Sequence, residues 1–200
     1  MKTLLAAMAI ALTTGSAALA FDADTQAIID RHKANKPISM TDVAQLMRSS
    51  EQWCYNNQEH SCAWTDIYLD VTDTGVTYEI GNAWDAETDI AFTDEGVFRD
   101  GRYICETGKD WVPTVRATRR SDDSVIGGRQ LWTLKQAITA SRAANTVDCF
   151  DYLYLRSDAD QETITLLQRQ YTDDTHIEGN DVEVSLHFNA EDAAGLTWRW

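Results

Sequence analysis

From Ala63 to Val71 the chain alternates with a period of two. Ala63, Thr65, Ile67, Leu69 and Val71 fall on one side; Trp64, Asp66, Tyr68 and Asp70 fall on the other. An extended strand sorts such a pattern into two coherent faces, whereas a helix scrambles it. The same period returns at Val76, Tyr78 and Ile80, from Thr88 to Thr93, from Val147 to Arg156, from Thr163 to Tyr171, from Val182 to Phe188 and from Leu196 to Trp200. Asp100-Gly101, flanked by Val97-Phe98 and Tyr103-Ile104, is the signature of a two-residue hairpin. Asp94-Glu95-Gly96 reads as a turn or bulge, and Trp111 to Thr118 as a short extra strand. Connections this short join antiparallel neighbours, since a parallel pair needs a long crossover.

Three segments carry the helical period instead. Asp22 to Asn35 places Ala23, Ala27 and Ile28 on one stripe and stops before Pro37. Ser39, with Asp42 three residues on, caps a second helix that presents Val43, Leu46 and Met47. Leu131, Leu134 and Ile138 define a third from about Gly128 to Ala144, ended by Asn145. The predicted class is therefore α+β: a mostly antiparallel sheet of about seven to nine strands, with two N-terminal helices and one mid-chain helix packed on it. Residues 21–200 form one domain in this reading. Cys62 and Cys149 each open a strand that carries a Tyr-Leu pair, so a duplication into 21–118 and 125–200, two tandem helix-plus-four-strand units, is compatible with the pattern.

The first twenty residues have a lysine, an apolar run from Leu4 to Leu12 too short to span a bilayer, and Ala18-Leu19-Ala20 before Phe21. That is the pattern of a signal peptide (1–20) cleaved before Phe21, and it sends the chain to the periplasm or the exterior. An exported chain with four cysteines is expected to carry disulfides. The expected pairs are Cys54–Cys62, inside the stretch WCYNNQEHSC read as a stapled loop, and Cys105–Cys149, which ties the two halves together. Cys54, His60 and Cys62 would need free thiols and a fourth ligand, His176 or His187, to hold zinc. No metal and no cofactor is expected.

A formal charge of −15 disfavours nucleic acid and anionic membrane surfaces as partners and suits a basic protein or peptide. No later segment is apolar for long enough to insert as a helix. The C-terminal Leu-Thr-Trp-Arg-Trp looks like the last strand of an outer-membrane barrel, but short strands and interposed helices argue against that reading. Asp158 to Glu162 is acidic but lacks the glycine and distal glutamate of a calcium loop. No nucleophile elbow or zinc-protease motif is present.

Seven tryptophans are a heavy aromatic load. Trp132 is expected to pack between its helix and the sheet. Trp64 and Tyr68 share a face with Asp66 and Asp70. If Ile67, Leu69 and Val71 cover the helices, that second face is open, and these four residues form the expected partner-binding surface. The functional expectation is a non-enzymatic binding module for a protein or peptide. The alternatives are a hydrolase using carboxylates such as Asp66, Asp70 and Glu79, and a structural envelope protein.

Overall fold

The strands of both halves of the chain close into one barrel. The computed structural model describes residues 20–141 and 147–200. Within them eight antiparallel strands follow in sequence order: β1 (Gln52–Tyr55), β2 (Trp64–Val71), β3 (Gly75–Ala83), β4 (Thr88–Arg99), β5 (Tyr103–Glu106), β6 (Asp148–Asp158), β7 (Thr163–Thr172) and β8 (Val182–His187). Each pairs with the next, and β8 returns to β1 with Val184 opposite Tyr55 and Leu186 opposite Trp53. This is an up-and-down barrel, the arrangement that removes the free edges of a sheet. The helices are α1 (Ala23–Arg31), α2 (Met40–Ser49), α3 (Gly128–Ser141) and a short α4 (Ala190–Ala194). The class is α+β with a mainly antiparallel sheet, as the sequence predicts, and the sheet in addition closes on itself. The expected leader up to residue 19 and the end of the third helix at 142–145 lie outside the described residues.

Two helices stopper one end of the barrel. Asp22 caps α1 by accepting from the backbone N–H of Asp24 and Thr25, and Ser39 caps α2 by accepting from that of Asp42, as its sequence predicts. The α2 stripe Val43, Leu46 and Met47 is buried against Trp53, Ile164, Leu166, Val184 and Leu186 in one core. Met40 N–H donates to Gly101 O in the β4–β5 hairpin, while the Arg48 guanidinium reaches the carbonyls of Val71 and Thr72 after β2. The helix thus lies across the barrel end. Since β5 is short, residues 35–38 fill the gap beyond it: Lys36 and Pro37 pair with Tyr154 and Leu153 of β6.

The N-terminal half of β4 stays paired with β3 but takes a short strand, Arg116–Arg119, on its other side in place of β5. There Ile90 and Phe92 join Val115, Ala117, Ile126 and Ile138 of α3 in a second, smaller core. Three local expectations need correction. Asp94-Glu95-Gly96 is not a turn, because β4 runs unbroken through it with Asp94 and Gly96 facing inward. Trp132 is 61 % exposed, because α3 turns Leu131, Leu134 and Ile138 to its core instead. Cys54 is not in a loop but on β1, a strand too short to show a period.

Both disulfides are present, Cys54–Cys62 and Cys105–Cys149, so the thiols a zinc clip would need are oxidised. The first ties β1 to the Ser61–Cys62 segment, which pairs in parallel with Thr197–Trp198 near the C-terminus. Trp198 donates its indole N–H to Thr65 Oγ1 at 2.9 Å and lies over Gly81, where an added Cβ would come within 2.4 Å of the ring. Only glycine admits that ring.

Outside the β5–β6 seam, Asp151 is fully buried between two arginines. Arg102 Nε donates to it at 2.7 Å and Arg169 Nε at 2.8 Å, with Tyr171 OH at 3.3 Å. The Asp151→Ala variant is expected to lose about 3 kcal/mol, because both guanidinium groups lose their common carboxylate. Urea unfolding checks this, and a loss below about 1 kcal/mol would show that solvent compensates both arginines.

Candidate functional site

The barrel wall sets the orientation of β2, and it is the reverse of the one expected. Ile67 and Leu69 point outward, 38 % and 56 % exposed, while Trp64, Asp66 and Tyr68 point into the lumen. An open sheet gives its aliphatic face to the helices, but a closed eight-stranded barrel must fill its own interior, and large aromatic side chains do that. Asp70 leaves the set because the β2–β3 register shifts between Tyr68 and Asp70, so Asp70 lies exposed and Val71 packs against the core. Glu79 is on the outer face, ion-paired with Arg116, so Asp66, Asp70 and Glu79 do not face one cleft.

Near the open end the lumen is not filled. A cavity of about 280 Å³ lies among Tyr55, Trp64, Asp66, Tyr68, Tyr78 and Tyr152, and reaches a rim formed by Glu106, Asp148, Gln170 and Asn180. Tyr55 stacks on Trp64 with ring centroids 4.7 Å apart; Tyr68 meets Trp53 edge-on at 5.0 Å. Trp64 and Tyr68 remain partly accessible because they face this hollow rather than packed side chains.

Asp66 is the chemical centre of the wall. It is 6 % exposed. Tyr55 OH donates to its Oδ2 at 2.8 Å, and its Oδ1 has no hydrogen-bond partner. Gln168 Nε2, facing in from β7, donates to Tyr152 OH at 3.0 Å. Burial raises the Asp66 carboxyl to about 7; the Tyr55 hydrogen bond opposes this and the negative charge of Asp94 adds to it. Burial likewise holds the hydroxyls of Tyr55, Tyr68 and Tyr78 well above the ordinary phenol range, and the Asp66 charge reinforces it. No lysine, arginine or histidine is among the described residues lining the cavity. No family model, curated protein or solved structure matches the chain.

Four members of the wall escaped the sequence reading. Tyr55 lies inside the stretch whose cysteine spacing predicts a stapled loop. Tyr78, Tyr152 and Gln168 belong to segments whose alternation predicts strands, but alternation alone does not tell which face turns inward. A second polar cleft on the outer wall brings together His187 and Asp192 of α4, with Nδ1 2.5 Å from Asp192 Oδ2, while exposed His60 lies 3.6 Å from Asp192. His187 Nε2 is buried without a hydrogen bond. The described residues contain no cluster of three or more metal-ligating side chains.

Proposed function

We propose that this protein is an exported binding protein that holds a small organic molecule inside its barrel. The observation that carries the reading is the hollow itself: an eight-stranded barrel is just wide enough to be filled by its side chains or to hold one small ligand, and here a part is left open behind a polar rim. Trp64, Asp66 and Tyr68 keep a binding role in this reading, while Asp70 has none. The occupant is small, because about 280 Å³ leaves room for roughly ten non-hydrogen atoms and not for a peptide. Two disulfides support export, and no helix of the described residues is long and apolar enough to cross a membrane. The outer wall carries Glu79, Asp151, Arg169 and Glu183, unlike the apolar outer band of a membrane barrel.

Native mass spectrometry with a set of small aromatic compounds, neutral and charged, tests the reading. One-to-one complexes are expected with the wild-type protein and not with Val182→Trp, which fills the cavity near its rim. Equal binding to both proteins would place the ligand elsewhere, and no binding to either would remove the lumen as a site.

A further inference from the structure

The lumen reading leaves the ligand's chemistry open, and Asp66 narrows it. Resting on that reading, we infer that the ligand is a primary or secondary ammonium compound, whose N–H donates to Asp66 Oδ1 while its apolar body lies among Tyr55, Trp64, Tyr68 and Tyr78.

Three independent features converge on this class. The first is the unpartnered oxygen. Asp66 is more than nine-tenths buried, lines the cavity, and has one oxygen satisfied by Tyr55 and one by nothing. A buried acceptor without a donor is costly, so a ligand that supplies an N–H there gains more than one that makes a surface hydrogen bond. The second is the sign of the wall. Its charged members are the acids Asp66, Glu106 and Asp148, with no lining cation to compete for them or to welcome a carboxylate ligand. The third is the ring arrangement. Faces of tyrosine and tryptophan attract a cation within about 6 Å, most strongly where water is excluded.

The groups facing Asp66 come from several strands: Tyr55 of β1, Tyr68 of β2 itself, Tyr78 of β3, Asp94 of β4, and Tyr152 and Gln168 from β6 and β7; Glu106 of β5 acts on Tyr78 from the rim side. None supplies a positive charge. In the empty barrel near neutral pH, burial and the Asp94 charge favour the protonated carboxyl. An ammonium ion reverses that preference, because it stabilises the carboxylate. Binding therefore expels a proton, and the proton leaves to solvent as the ligand's charge takes its place.

The discriminating probes are phenethylammonium and its neutral isostere 2-phenylethanol, which present the same ring and chain length. Isothermal titration at pH 8 is expected to show the ammonium bound about thirtyfold tighter, the size of a charge-assisted hydrogen bond made in a buried site. Asp66→Asn should reduce that preference to about one, whereas Asp70→Asn, on the exposed outer side, should leave it intact. With wild-type protein alone, titrations at pH 6 in buffers of different ionisation enthalpy should show nearly one proton released per ammonium bound, and affinity should fall as pH drops below 7. This second measurement decides the matter even if Asp66→Asn fails to fold. Equal binding of both probes, with no proton release, would overturn the ammonium inference while leaving the lumen as a site. Failure of both probes to bind would overturn the lumen and the inference with it.

Discussion

Asp66→Asn is expected to stabilise the ligand-free protein by about 4 kcal/mol at pH 8 and to change little at pH 4. The sign follows from which state holds the proton. In the unfolded chain the carboxyl titrates near 3.8; in the barrel it titrates near 7. Between these values the folded state binds a proton that the unfolded state has released, so stability falls as pH rises through this window and levels off above it. About three pH units of difference, at about 1.4 kcal/mol each, give the magnitude. Asparagine keeps the shape and can still accept from Tyr55 OH, but it has no charge to bury. Asp22 and Asp42 act in the opposite sense. The burial of each opposes the shift, but hydrogen bonds from Thr25 to Asp22, and from His32 and Arg31 to Asp42, hold both carboxyls below their ordinary value. The informative quantity is therefore the difference between variant and wild type. Urea unfolding at pH 4, 6 and 8 measures it, and parallel curves for the two proteins would show that the buried carboxyl is solvated after all.

Removing the Cys105–Cys149 bridge, with both cysteines replaced by serine, is expected to cost about 4 kcal/mol, against about 2.5 kcal/mol for Cys54–Cys62. The bridged residues are 44 apart in sequence in the first case and 8 in the second, so the first removes more freedom from the unfolded chain. The larger loss also falls at a weaker place. Strand β5 pairs with β6 only at Ile104–Phe150 and Cys105–Cys149, so the bridge lies directly on the seam that closes the barrel. The double variant should therefore lose hydrogen-exchange protection first at residues 103–106 and 148–150. Equal losses for the two bridges, or protection lost evenly around the barrel, would contradict this account.

The cap at Asp22 emerges only from the structure, but the alternation of β2, β3, β6, β7 and β8 is plain in the residue order, and so are the cap at Ser39 and the pairing of the cysteines. These signals are local. Which side of each strand turns inward is not local, and the error at β2 shows why. Aliphatic Ile67 and Leu69 outrank Trp64, Asp66 and Tyr68 in hydrophobicity, so a flat sheet would bury the former. Curling the sheet into a closed wall exchanges the demand: the interior needs bulk, and Asp66 becomes tolerable once Tyr55 donates to it and its proton stays on. Tyr55 lies eleven residues away in sequence and came from a segment of only four strand residues, so no pattern linked the two. Closure itself depends on the two pairs between β5 and β6 and on the filling segment at 35–38, neither long enough to register as a period. The bridge from Cys105 to Cys149 was the one visible sign that distant strands meet.

The meander also imposes an order in time. Every strand but the first can dock on a neighbour already made, whereas β1 receives its second partner only when Val184 and Leu186 exist to meet Tyr55 and Trp53. A chain growing or crossing a membrane from its N-terminus therefore keeps one side of Trp53 and Tyr55 without a neighbour until almost the whole length has arrived. For that interval the nascent molecule has a raw hydrogen-bonding edge beside large apolar rings, the combination that invites pairing with another chain. Production truncated before β8 would leave that edge raw for good, and aggregation rather than a partly active fragment is the fate this topology assigns to it.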